Sequence, residues 1–218
     1  MTEAVLSVRG LTRSFGDHRV LADLDLDVPA GTAAVLVGPN GAGKSTALRC
    51  ITGADEADAG TVEVLGEAFD ERSATIRAAL AVVMDDLDFF PDLTVVEHLD
   101  LFARAHRTED ADDVVDDVLE EVGLTAQSGQ LPTSLSSGQR RRLALASAFV
   151  RPRRLLVLDE PEQRLDQEGL DWLVTRLRAE KAAGLAILLA SHSPRLVEAV
   201  ADEVVSLDRS GTAGAGRP

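Results

Sequence analysis

Near the amino terminus, Leu24, Leu26 and Val28 alternate with Asp23, Asp25 and Asp27, the period of two that marks a half-buried strand. Residues 5–8 and 60–65 read the same way. Residues 33–37 are instead continuously apolar and run into glycines, as a central strand covered on both faces does. Two further runs of this kind, residues 155–158 and 185–190, end in Asp159 and in Ser191 and His192. Buried strands that deliver polar residues at their carboxyl ends describe an α/β sheet with a site along one edge.

Between these strands the period lengthens. Thr94 and Glu97 form a capping box, and Val95, Leu99 and Phe102 continue an apolar helical face. A second helix is expected over residues 111–122, stopped near Gly123. A third starts at Ser136, where Gln139 supplies another capping box, and runs to Pro152. Residues 210–218 are small and glycine-rich, so they are expected to be disordered.

A chain of 218 residues with 45% hydrophobic content can bury one substantial core without a second. Its longest apolar stretches, residues 78–84 and 185–190, fall far short of the roughly 20 residues that cross a bilayer, and the first residues lack a basic-then-apolar signal pattern. A cytoplasmic chain is expected. The single cysteine, Cys50, excludes an internal disulfide framework and reads as a small buried side chain. His18, His98, His106 and His192 show no metal-ligand spacing.

The net charge of -15 argues against nonspecific attraction to nucleic acid or to an anionic membrane. Most of it is local, because residues 85–121 hold fourteen acids against Arg104 and Arg107. Such a segment is either a solvated helical face or a docking surface for a basic loop of a membrane partner. Arg140, Arg141, Arg142, Arg151, Arg153 and Arg154 are expected to form a helix face that offsets it.

The chemistry is concentrated in short strings. GPNGAGKST at residues 38–46 has the full G-x-x-x-x-G-K-S spacing after a buried strand, and this P-loop pattern turns backbone N–H groups inward around phosphate oxygens. Gly38, Gly41 and Gly43 supply the freedom, with Asn40 and Thr46 in the same string. Lys44 then reaches the β- and γ-phosphates and the Ser45 hydroxyl reaches magnesium. Asp159 and Glu160 close the strand at 155–158 beside this loop. The first is suited to the magnesium shell and the second to polarising the attacking water.

LSSGQ at residues 135–139 resembles the signature of the ATP-binding-cassette (ABC) family, and the resemblance covers residues 6–207 with the family's motifs in order. It implies a P-loop NTPase (RecA-like) α/β core with an antiparallel β subdomain and an inserted α-helical subdomain. On that basis residues 1–209 are one ABC ATPase domain, with residues 1–84 and 151–209 as the core and 85–150 as the helical subdomain carrying the signature. The implied cofactors are ATP and Mg2+.

By the same resemblance Phe15 stacks on adenine, His192 contacts the γ-phosphate, and Asp166 crosses a dimer interface. Ser136, Gly138 and Gln139 meet the ATP held by the other subunit, a homodimer or a heterodimer with a second ABC subunit. The family reading makes the chain the ATP-hydrolysing subunit of a transporter, peripheral on the inner face of the membrane through a separate transmembrane permease. A soluble ABC ATPase acting on ribosomes or DNA is the alternative. Two residues depart from the pattern: Ser137 stands at the second-position glycine of the signature, and Asp85 stands where the family has a glutamine that joins the magnesium shell.

Overall fold

The computed structural model describes residues 4–85, 88–208 and 213–216. β1 (Ala4–Phe15) and β2 (His18–Pro29) form a long antiparallel hairpin whose alternating leucines and valines are buried on one face. The chain then enters β3 (Ala33–Val37) and α1 (Lys44–Ile51) before β4 (Ala59–Val64) and β5 (Glu67–Ala68). The last two join the hairpin in a four-stranded antiparallel sheet of order β2-β1-β4-β5.

The second sheet, to which β3 belongs, gains its edge strand β6 (Leu80–Val83) directly after α2 (Ala74–Ala79). Three helices follow, α3 (Val95–Ala105), α4 (Ala111–Glu121) and α5 (Ser137–Phe149), and only then β7 (Leu155–Asp159). The chain closes with α6 (Gln167–Ala182), β8 (Ala186–Ala190), α7 (Pro194–Val200), β9 (Glu203–Leu207) and β10 (Ala213–Gly216). The sheet order is β10-β9-β3-β8-β7-β6, parallel throughout except for β10.

Covering both faces explains the unbroken apolar runs. Val35, Leu156, Leu158, Ile187 and Leu189 pack toward α3, α4, α5, α6 and α7. Their neighbours Leu36, Leu155, Val157 and Leu188 pack toward α1 and the antiparallel sheet. Each fully buried leucine contributes about 1.5–3 kcal/mol relative to exposure.

Both capping boxes form, Thr94 with Glu97 and Ser136 with Gln139. α4 ends at Glu121, and Gly123 follows at φ 69°. α5 stops at Phe149, short of the expected end at Pro152.

Two expectations are corrected. Residues 213–216, read as disordered from their glycine and alanine content, form a strand on the open edge of β9. Strand pairing is made by backbone groups, so it needs no apolar side chains; residues 210–212 and 217–218 lie outside the described residues. The six arginines do not form one helix face that offsets the acidic segment either, because α5 ends at Phe149 and Arg151, Arg153 and Arg154 lie beyond it. Arg140 donates to the Leu135 carbonyl, Arg151 to the carbonyls of Arg77 and Leu80, and Arg153 to Glu180 and to carbonyls closing α5. Burial pushes the Arg151 guanidinium down to about 10. These side chains cap exposed carbonyls at element ends, where a planar donor fork is worth more than a surface charge.

Candidate active site

The turn from β3 into α1 depends on glycine at two points. A Cβ on Gly38 would lie 2.3 Å from the Leu207 carbonyl oxygen, and one on Gly43 would lie 2.8 Å from that of Val20. Gly43 is also the N-cap of α1 at φ 92°, a left-handed conformation that costs glycine little. The first N–H groups of α1 have no helical acceptors. They open onto a cleft of about 530 Å³ lined by His18, Val20, Asn40, Gly41, Gly43, Lys44, Ser45, Thr46, Asp85, Asp159 and Glu160, a volume in the range of small-molecule sites.

Lys44 is 5% exposed. Its Nζ donates to the carbonyl of Gly38 at 3.0 Å and stands 3.8 Å from Glu160 Oε1. Opposite it, Asp159 is buried at the end of β7. Burial pushes its carboxyl above the ordinary range; the Ser45 hydroxyl pulls it back, and Glu160 and Asp85 push it further up.

Asp159 Oδ1 and Asp85 Oδ1 are both buried without a hydrogen-bond partner among the described residues. Arg164 Nη2 reaches Asp85 Oδ1 only at 3.5 Å, as an ion pair. Two orphaned carboxylate oxygens in one cleft suit a divalent cation, which removes the penalty of burying them. Among the described residues no three side chains of His, Cys, Asp or Glu gather into a metal site. A divalent ion such as magnesium would draw its remaining ligands from Ser45, water and phosphate.

Glu160 adopts φ 43°, unusual for a residue with a side chain. Its N–H donates to the Ala190 carbonyl at 2.9 Å, and its Oε2 lies 3.5 Å from His192 Nδ1 and accepts from Gln163. His192 itself is positioned by Glu162, which the sequence reading missed. Glu162 Oε1 accepts from the Ser191 hydroxyl at 2.5 Å and from the N–H groups of His192 and Ser193 at 3.3 and 3.2 Å. These contacts span about thirty residues, and no local pattern announces them. His18 and Val20 were likewise missed as cleft residues, because β2 reaches the P-loop only through the fold.

Phe15 is 50% exposed, with the Arg13 guanidinium 4.7 Å from its ring. It does not line the cleft, but it pairs across the hairpin with His18, which does.

The signature residues gather elsewhere. A second cleft of about 270 Å³ is lined by Gly123, Ser136, Gly138, Gln139, Arg142, Arg164 and Asp166. Ser136 Oγ accepts from the Gln139 N–H at 3.2 Å, and Gln139 Oε1 accepts from the Ser136 N–H at 2.9 Å. A Cβ on Gly138 would press to 2.9 Å from the Arg164 carbonyl oxygen. Asp166 caps α6 through the Gly169 N–H and pairs with Arg142 at 2.9 Å. The Gly169 amide first, then Arg142, hold its carboxyl below the usual carboxylate range. Ser137 is the exposed first residue of α5, where a serine is easily tolerated.

A family model described as "ABC transporter" matches residues 21–163. The chain belongs to the ABC transporter family. Within this ABC family it is 34% identical over 219 residues to Nod factor export ATP-binding protein I of Cupriavidus metallidurans, covering 99% of this chain and 72% of that protein. It is 30% identical over 207 residues to the glutamate transport ATP-binding protein GluA of Corynebacterium glutamicum, covering 92% of this chain and 86% of the relative. A solved structure of the ATP binding subunit of an ABC transporter superposes with a TM-score of 0.90 at 29% identity, over 98% of this chain and 90% of that one. The fold is that of ABC ATPases, and the chain is an ATP-binding subunit whose hydrolysis of ATP is coupled to transport.

Proposed function

We propose that this ABC subunit hydrolyses ATP in a site completed by a second copy or a second ABC subunit, and so drives a membrane-spanning partner from the cytoplasmic side. The observation that carries this reading is the separation of its motifs. The P-loop, Asp159 and Glu160 share one cleft, whereas Ser136, Gly138 and Gln139 line another. One copy therefore brings only half of each composite site.

In this reading the N–H groups of residues 41–46 and Lys44 hold the phosphates, since charge-assisted donors in a buried cleft are the strong ones. Ser45, Asp159 and Asp85 would hold magnesium, whose positive charge would offset the phosphate oxygens. Glu160 orients the attacking water and takes its proton, helped by a position between Lys44 and His192. His192 donates toward the γ-phosphate, and Phe15 offers its exposed ring to the adenine. Asp166 stands at the edge of the signature cleft, where a second subunit meets it. Residues 85–150 form the helical subdomain that a membrane partner engages. No helix of the described residues is long and apolar enough to cross a membrane, so the translocation path belongs to that partner. The charge of -15 disfavours the ribosome or DNA alternative.

Thiol cross-linking tests the two-copy site. Cysteines introduced as Asn40→Cys and Ser137→Cys in a Glu160→Gln background are joined by a short bifunctional reagent, with and without ATP. Cys50 is buried and its thiol is pushed up to about 11, so it stays silent. An ATP-dependent dimer band is the result expected for a second copy, and a band at monomer size alone in both conditions contradicts a site completed by a second copy.

A further inference from the structure

Arg141 sits in the second turn of α5, five residues beyond the Ser136 cap, and is only 3% exposed. Among the described residues its hydrogen bonds all go to backbone carbonyls. Nη2 donates to Asp159 at 2.5 Å and to Glu160 at 2.7 Å, Nε to Pro161 at 3.2 Å, and Nη1 to Met84 at 3.1 Å. Four of the five guanidinium N–H groups are therefore used. Among the described residues no carboxylate lies within ion-pair distance of it, although Asp85, Glu162 and Asp159 favour its charge from further away while burial and Arg164 oppose it.

The position of these carbonyls gives the contacts their meaning. β7 ends at Asp159, so the carbonyls of residues 160–161 have passed beyond the sheet ladder and have no strand to supply donors. Met84 follows β6 and directly precedes Asp85. One side chain thus ties the helix that starts at the signature to the chain carrying Asp159 and Glu160 and to the chain carrying Asp85. Its bond to the Glu160 carbonyl joins those of the Gln163 N–H to the same carbonyl at 3.0 Å and of the Glu160 N–H to Ala190 at 2.9 Å in holding the φ 43° conformation, with the carboxylate between Lys44 and His192. Without Arg141 nothing on the α5 side opposes relaxation of Glu160 to an ordinary backbone conformation.

We infer that Arg141 is a positioning residue for ATP hydrolysis: its fork of backbone hydrogen bonds fixes Glu160, and through α5 it links the geometry of the signature cleft to that of the hydrolytic carboxylate. This rests on Glu160 being the base.

The test compares Arg141→Lys, Arg141→Ala and Glu160→Gln in steady-state ATPase assays and in ATP titrations without turnover. Lysine keeps the charge and the packed stem but donates from one point, so it cannot span carbonyls on two chain segments. For Arg141→Lys the expected result is a kcat lower by at least about tenfold with KM and ATP affinity within about threefold of wild type. Arg141→Ala falls further and is partly restored by millimolar guanidinium but not by ammonium. If the alanine variant does not fold, the lysine variant carries the test. Wild-type kcat in Arg141→Lys overturns the proposal. So does a parallel loss of ATP affinity, which marks general structural damage, or rescue of Arg141→Ala by ammonium as readily as by guanidinium. Wild-type turnover in Glu160→Gln instead overturns the assignment of the base; an inactive Glu160→Gln beside normal Arg141 variants overturns only the role of Arg141.

Discussion

Asp159 shows most plainly how a single residue trades stability for function. Its carboxyl is buried, one oxygen has no partner, and burial raises its pKa in the folded chain. A raised carboxyl pKa means that the folded state holds the proton more tightly than the unfolded state. Stability therefore falls as pH rises from the ordinary aspartate value through the raised one, and the penalty is complete above the raised value. Asp159→Asn removes the charge and keeps the shape. It is expected to raise the Tm of the nucleotide-free protein by about 2–4 °C at neutral pH, with the gain vanishing in acid, while ATP turnover collapses. Thermal melts at several pH values check the sign.

Asp85 is a second acid in the same cleft, held loosely by Arg164. A carboxylate accepts hydrogen bonds and joins a magnesium shell but cannot donate as an amide can. Asp85→Ala is expected to lower turnover and raise the magnesium concentration needed for half-maximal rate, whereas Asp85→Gln keeps much of the activity. A wild-type magnesium profile in Asp85→Ala would show that this side chain takes no part. At this scale the P-loop and the Asp159-Glu160 pair were legible because each lies within a few consecutive residues. Glu162, Arg141 and Arg164 were not, because each meets its partners on chain distant in sequence, Arg141 through backbone carbonyls, Glu162 through the Ser191 hydroxyl and two backbone N–H groups, and Arg164 through the Asp85 carboxylate.

Among the elements, the helices between β6 and β7 carry the acidic excess. α4 presents Asp112, Asp113, Asp116 and Asp117, and of its neighbours only Arg104, pairing with Asp100 and Asp112, offsets them in the described contacts. Reversing these four charges is expected to leave basal ATPase activity unchanged and to weaken association with the membrane partner, most at low salt. Circular dichroism controls for the helix, because Asp112 and Asp113 favour its amino terminus by about 0.3–1 kcal/mol each. Pull-down at wild-type level across salt concentrations would make this surface merely solvated. The strands and capped helices were readable in advance because period and caps are local signals. The strand at residues 213–216 was not, since its pairing is a property of the open edge of β9 rather than of its own side chains.

The whole molecule presents two separate clefts, one lined by the P-loop, Asp159 and Glu160 and the other by Ser136, Gly138 and Gln139. Motif spacing alone did not give that division; the family resemblance did, by placing Ser136, Gly138 and Gln139 against the ATP of another subunit. In the proposed function, closure of two copies over ATP is the event coupled to transport, and hydrolysis at Glu160 releases them. The most direct test is ATP turnover and bound nucleotide measured together for purified wild type and Glu160→Gln. The account predicts that the variant retains magnesium-dependent ATP, loses turnover by about 10²-fold or more, and runs at dimer mass with ATP present. A variant that hydrolyses ATP at the wild-type rate would contradict it.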